Sequence, residues 1–178
     1  MDHPRPTLVL MAGPPGAGKS ALARAIGSAL RWPVIDKDTL KSTVLDASVG
    51  EEIAARLSYD LLFALGGDLL LDQQLSVILD SPAGYPVVVE WATEMASRAG
   101  AYLRAIVCLA DRDLRNQRLR QRVARPSQWL TDDQTDERTW QKHLAFFPVD
   151  TLILDTVRPI PELMTQSLSY LRRPANGS

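Results

Sequence analysis

The sequence predicts an α/β fold, a parallel sheet covered by helices on both faces. Three observations predict it. Short apolar runs of strand length alternate with segments of helical periodicity along the 178 residues. The ends of those runs carry a glycine loop or a carboxylate (Asp36 with Asp38, Asp80, Asp111, Asp155), and ligands gather outside the carboxyl ends of strands in such sheets. The first run leads straight into Gly13-Pro14-Pro15-Gly16-Ala17-Gly18-Lys19-Ser20, a glycine-rich turn with a helix behind it.

In order, residues 1–6 read as a loose leader and residues 7–12 as a buried strand. After the glycine turn, Ala21, Leu22, Ala25, Ile26, Ala29 and Leu30 share one helical face. Residues 32–35 give a short second strand ending at Asp36. A helix from about Asp38 has Leu40, Val44 and Leu45 inside. Residues 51–74 are mostly helical, with the stripe Ile53, Leu57, Leu61, Leu62 and Leu65, and Gly66-Gly67 marks a candidate kink. Residues 75–80 form the third strand and 81–86 a loop. A helix over 87–98 follows in spite of its β-branched Val87-Val88-Val89 start. Residues 101–109 form the fourth strand, and 111–123 an arginine-laden helix. Residues 126–131 break it, and helix resumes over 132–144. Residues 151–154 make the fifth strand, 161–171 a last helix with Pro161 in its first turn, and the rest a polar tail. No repeat and no second-domain boundary interrupts the pattern, so residues 1–178 read as one domain.

A hydrophobic fraction of 46% suits a globular core, and a net charge of −1 provides no general field toward nucleic acid or membrane. The single cysteine, Cys108, excludes an internal disulfide, and its apolar run makes it a core residue rather than a nucleophile. No signal-like segment opens the chain and no run has the length of a membrane span, so a cytoplasmic location is expected.

The glycine turn fits G-x-x-x-x-G-K-[ST], and its chemistry explains the residue types. Glycines let the backbone N–H groups approach a phosphate, and the following helix adds its positive end. Lys19 would reach the β- and γ-phosphates and Ser20 would sit on Mg²⁺. Gly13, Gly16, Ala17, Gly18, Lys19, Ser20 and Ala21 are the expected nucleotide-binding residues. Asp36 and Asp38 stand two apart at a strand end. Phosphoryl transfer needs one carboxylate to orient or deprotonate the acceptor and others to hold the metal's water shell, and this pair can divide those jobs. Asp38 is also placed to cap the helix that follows. Asp80 closes an apolar strand, where it can hold Mg²⁺ through water, contact the acceptor, or simply form a turn. Lys41, one turn after Lys37, suits an anionic acceptor and equally a plain surface position.

Six arginines lie between 112 and 125. Their forks match the charge on a transferring phosphoryl group, and Arg115, Arg118 and Arg122 share a helix face. The acidic group beginning at Asp132 is placed to neutralise them. Trp129 falls where it can stack on a substrate, whereas Trp32, Trp91 and Trp140 read as packing residues and His143 as structural. With no Cys/His ligand cluster, the metal expected is Mg²⁺ carried by the nucleotide.

In these elements the chain resembles the small P-loop kinases built like nucleoside monophosphate kinases. Within them it is similar to the group holding chloramphenicol phosphotransferase, zeta-toxin-like kinases and the kinase domain of polynucleotide kinase. The resemblance rests on Gly13 to Ser20, Asp38-Thr39-Leu40-Lys41, Val77-Ile78-Leu79-Asp80 and Arg118-x-x-x-Arg122. It implies a P-loop NTPase fold with a five-stranded parallel sheet in the order 2-3-1-4-5. It implies a helical lid over about 112–140, and ATP–Mg²⁺ as donor. By position it makes Asp38 the acceptor-activating base and Asp36 or Asp80 the metal- or substrate-contacting carboxylate. Arg118 and Arg122 become lid arginines, and Asp155 and Thr156 the stretch beside the adenine. Asp36-x-Asp38 is also similar to shikimate and gluconate kinases. Lys41 departs from the arginine of many relatives.

The expected function is therefore an ATP-dependent kinase acting on a hydroxyl of a small molecule. A polynucleotide 5′-kinase fits the near-neutral charge less well. A GTPase switch lacks its guanine-reading Asn-Lys-x-Asp element, and an AAA-type motor is expected on a longer chain. A regulatory ATP-binding module is the remaining alternative. The acceptor and the oligomeric state are left open.

Overall fold

The computed structural model describes residues 5–121 and 137–173. Its centre is a five-stranded, all-parallel sheet in the order β2-β3-β1-β4-β5, made of β1 (Thr7–Ala12), β2 (Val34–Asp36), β3 (Val77–Asp80), β4 (Tyr102–Leu109) and β5 (Leu152–Asp155). Helices α1 (Lys19–Leu30) and α7 (Ile160–Leu171) cover one face. On the other lie α3 (Glu51–Gly67), α4 (Pro86–Arg98) and α6 (Glu137–Leu144). Alternation along each strand makes two cores. Val9, Met11, Ile78, Ile106, Cys108 and Leu154 face α1 and α7. Leu8, Leu10, Ala12, Leu79 and Val107 face the other set.

Where the structure departs from the sequence expectations, packing gives the reason. The 51–74 helix runs unbroken through Gly66-Gly67 and ends in a π-helical turn, Asp68–Asp72. Gly66 is a packing residue rather than a kink: a Cβ there would stand 2.9 Å from Leu79 Cδ2. So close an approach needs a narrow inner stripe, and α3 buries Ala54, Ser58, Leu62 and Gly66. The bulkier Ile53, Leu61 and Leu65 are turned outward, 40–50% exposed. Tyr85 leads into α4 and Pro86 takes its first position, so the β-branched valines complete the helix's first turn, with Val88 and Val89 buried.

The second strand ends on Asp36 as expected but starts two residues later, at Val34, and α2 (Lys37–Asp46) follows without a break. Its cap is Asp36 rather than Asp38: Asp36 Oδ1 accepts from the amides of Asp38 and Thr39 at 2.9 and 3.3 Å. Nor does α2 bury Leu40, Val44 and Leu45 most deeply. Its buried residues are Lys37, Lys41 and Ser42, which corrects the surface reading of Lys41. Helix α5 (Arg112–Gln121) is capped by Asp111 Oδ1, which accepts from Leu114 N at 2.8 Å. Arg122, Trp129 and the acidic group from Asp132 to Asp136 lie outside the described residues, as does the middle of the expected lid.

Candidate functional site

Parallel register brings the chemistry to one edge. Asp36 is the partner of Asp80, and Asp80 that of Met11, two residues before Gly13. Both carboxylates therefore project from the face that α1 covers, beside the first turn of that helix. Gly18, at φ +84°, leads into α1 with no side chain capping its first turn, so the helix's positive end faces the loop.

The loop's glycines are required by its own walls. Gly13 has φ +133°, and a Cβ on it would lie 2.1 Å from Cys108 O. Gly16 has φ +75°, and a Cβ there would meet Arg115 O at 2.6 Å. The loop is thus clamped between β4 and α5, and only residues without side chains pass. Gly13 N donates to Pro82 O at 3.1 Å, tying the loop to the segment after β3. Lys19 Nζ donates to Pro14 O at 2.9 Å, folding its charge over the loop.

Asp80 is the electrostatic centre. It is 3% exposed, and its Oδ2 is buried with no hydrogen-bond partner. Burial pushes its carboxyl up to about 6, against the pull of the Lys19 charge and of a hydrogen bond with Ser20. Asp36 and Asp38 push in the same direction as burial. A buried carboxylate with one unpartnered oxygen, hydrogen-bonded to the Ser20 hydroxyl, supplies the kind of oxygen donor a hard cation takes, so Ser20 and Asp80 fit Mg²⁺. Asp36 suits that task less well. One of its oxygens caps α2 and the other faces Arg24 Nη2 at 3.4 Å. The described residues include no separate cluster of three or more His, Cys, Asp or Glu suited to a metal.

In the first turn of α2, Asp38 is partly exposed and lies 3.9 Å from Lys37 Nζ. Lys37 is buried, its ammonium 5.1 Å from the centre of the Tyr59 ring, and burial lowers its pKa. Burial likewise pushes the Tyr59 hydroxyl upward. Lys41, one turn on, pairs with Glu51. The sequence reading did not assign Lys37 or Tyr59 to the site. The available signal was a lysine in the first turn of a helix, where the helix dipole opposes a cation.

Thr156 and Arg118 join three elements. The Thr156 hydroxyl donates to Ala17 O at 2.8 Å and accepts from Arg118 Nη1 at 3.1 Å. Arg118 Nη2 donates to Thr156 O at 2.6 Å. The position of a Cβ on Gly18 is 3.5 Å from Arg118 Nη1, so this arginine lies against the loop itself. Arg115, on the same helix, is buried and donates from Nε to Ala110 O at 3.2 Å. Asp155 turns the chain after β5, accepting from Val157 N at 3.1 Å.

Of the residues read as structural, Trp91 departs from the expectation, standing 40% exposed with its ring edge-on to Phe63 at 5.4 Å. Cys108 is buried and its thiol is pushed up to about 12. Trp140 is buried edge-on against His143 at 5.1 Å, and both rings rest on Gly84 in the loop after β3. No helix among the described residues is long and apolar enough to cross a membrane.

Comparison with known proteins bears on the family and the fold. The family model AAA_33, described as an AAA domain, matches residues 8–149. A shikimate kinase from Corynebacterium efficiens is 28% identical over 123 residues, covering 60% of this chain and 72% of its own. Among solved structures, a candidate kinase from Chloroflexus aurantiacus superposes with a TM-score of 0.74 at 20% identity, over 95% of this chain and all of its own. The APS kinase CysC of Mycobacterium tuberculosis, in complex with AMPPNP and APS, superposes with a TM-score of 0.64 at 21% identity, over 96% of this chain and all of its own. These comparisons do not single out the chloramphenicol phosphotransferase and zeta-toxin group to which the sequence motifs point.

Proposed function

The chain belongs to the AAA_33 family, and from that membership we propose that it is an ATP-dependent kinase transferring the γ-phosphoryl group to a hydroxyl of a small-molecule acceptor. One observation carries the reading. Lys19, the Ser20 hydroxyl and the buried Asp80 carboxylate, whose Oδ2 has no partner, converge at the glycine loop, with Asp38 close enough to act on the charge of Asp80. That is a phosphate and cation cradle with a base at its rim. The kinase relatives support the reading, even though the family bears the name of AAA domains.

The roles follow from position. The loop amides and the start of α1 receive the β- and γ-phosphates, and Lys19 turns from Pro14 O onto them. Arg118, held on Thr156, lines the nucleotide side of the loop, and Arg122 is assigned to the lid beyond it. Ser20 and Asp80 would hold Mg²⁺, which neutralises phosphate charge when bound. Asp38 accepts the acceptor's hydroxyl proton while that oxygen bonds to the γ-phosphorus. The bond from the γ-phosphorus to the β–γ bridging oxygen breaks, and ADP leaves with the electron pair.

The test is γ-phosphate transfer from ATP–Mg²⁺ across a panel of hydroxyl compounds that starts with shikimate, gluconate and APS and includes polynucleotide 5′ ends. Wild type and Asp38→Asn are compared. The expected outcome is a small-molecule acceptor whose turnover falls about 10²–10⁴-fold in Asp38→Asn, with ATP affinity nearly unchanged. Normal turnover in the variant would take the base role from Asp38. Tight ATP binding with transfer to none of the panel would favour a regulatory ATP-binding module.

A further inference from the structure

Helix α2 turns lysines inward. Buried charge needs a partner, and the partners here can be followed one by one. Lys41 has Glu51. Asp36 is engaged by the amides of Asp38 and Thr39 and by Arg24. Lys37 is left with Asp38 at 3.9 Å, beyond hydrogen-bond reach, and with the face of Tyr59. A methionine or leucine would cover Tyr59 as well. A cation in the first turn of α2 also opposes the helix dipole. Asp38, Glu51 and Asp36 favour the charged ammonium while burial and Lys41 oppose it, and its nearest carboxylate, 3.9 Å away, belongs to the residue proposed above as the base.

We propose that Lys37 is an acceptor contact, and that the acceptor carries an oxyanion, carboxylate or phosphate, close to its reacting hydroxyl. The inference rests on the kinase reading and narrows its substrate class. A hydroxyl bonded to Asp38 and an oxyanion bonded to Lys37 lie roughly 3–6 Å apart, given ordinary hydrogen-bond lengths on either side of the 3.9 Å gap. A 2- or 3-hydroxy acid or a short alcohol phosphate spans that distance. The Tyr59 ring, 5.1 Å from the ammonium, and Asp38, 3.9 Å from it, hold the charge in place before the acceptor arrives.

The test does not depend on turnover. The glycine loop is first filled with a non-hydrolysable ATP analogue and Mg²⁺. The lysines are then acetylated with acetic anhydride and their labelling read by peptide mass spectrometry. The exposed Lys142 is the internal reference. Malonate and inorganic phosphate are the probe anions, with chloride and glycerol as controls at matched ionic strength. Lys37 is expected to label without the probes and to be protected about fivefold or more by at least one of them, while Lys142 is unaffected. Which probe protects separates a carboxylate acceptor from a phosphate one. Failure of Lys37 to label, or equal labelling with and without both anions, overturns the proposal.

A second arm uses Lys37→Met with matched acceptors, glycerate against glycerol and 3-hydroxybutyrate against 1,3-butanediol. kcat/KM for the anionic member should fall about 10–100-fold, the worth of a charge-assisted hydrogen bond, with ATP affinity retained. An equal loss on both members of a pair would make the lysine structural and refute the contact. Absence of phosphorylation throughout would count against the kinase reading alone, because the labelling arm still judges Lys37.

Discussion

Replacing Asp80 by asparagine should stabilise the nucleotide-free protein while removing its function. The carboxyl is 3% exposed, and its pKa is raised from 3.8 to about 6, chiefly by burial. Between those two values the folded chain binds more protons than the unfolded chain. Stability therefore falls as pH rises across that window and stays at its lower level above it. A shift of about two units corresponds to about 3 kcal/mol. The substituted amide would carry no charge, keep nearly the same volume and retain an oxygen for the Ser20 hydroxyl. In urea unfolding followed by tryptophan fluorescence, Asp80→Asn and wild type should coincide near pH 4. They should separate to about 3 kcal/mol in favour of the variant by pH 7.5. Saturating ATP–Mg²⁺ should reverse the order, since a ligand held through Asp80 stabilises only the chain that binds it. A variant less stable than wild type at pH 7.5 without nucleotide, or a difference that ignores pH, would refute the reasoning.

Gly16→Ala should cost more than about 2 kcal/mol and at least tenfold in ATP affinity, because φ +75° and a backbone oxygen at 2.6 Å both reject a Cβ. Gly50→Ala, at φ −61° with no atom within 4 Å of its Cβ position, should stay within about 1 kcal/mol in the same unfolding and nucleotide-titration assays. Thr156→Val keeps the side chain's shape but removes the donor to Ala17 O and an acceptor for Arg118. Its expected cost is about 1–3 kcal/mol by denaturation, with KM for ATP rising more than kcat falls. Native Cys108 should resist iodoacetamide at pH 8 and react only on unfolding, as mass spectrometry would show, because burial holds its thiol near 12.

The sheet was legible because its signals are local and mutually consistent. Each strand is a short apolar run ended by glycine or aspartate, and a right-handed parallel crossover leaves little freedom once strand and helix alternate. The loop was legible because phosphate binding demands glycine where the backbone turns to positive φ. The structure adds a second demand that sequence cannot display, the carbonyls of Cys108 and Arg115 against Gly13 and Gly16, which come from segments about a hundred residues away. The inner face of α3 was misread for a related reason. Apolar periodicity favours the largest side chains, whereas packing on Leu79 selected the stripe that could approach most closely, Ala54, Ser58, Leu62 and Gly66.

The misreadings around the site share a cause. Asp36 and Asp38 are the same residue type two positions apart, and both patterns of use suit a strand end. Only the start of α2 at Lys37, directly after β2, decides that Asp36 takes the cap. The burial of Lys37 and Lys41 was hidden because a periodicity argument treats lysine as outward-facing, and that rule holds where the core is made by the protein alone. At a site, part of what lies inside belongs to the substrate. Asp80 Oδ2, buried without a partner at the end of β3, and Lys37, buried with an ion pair 3.9 Å long at the start of α2, are polar groups that a ligand can engage. The first calls for a cation and the second for an anion. On this reading the two groups mark the metal and acceptor sides of one cleft, with Asp38 between them as the base.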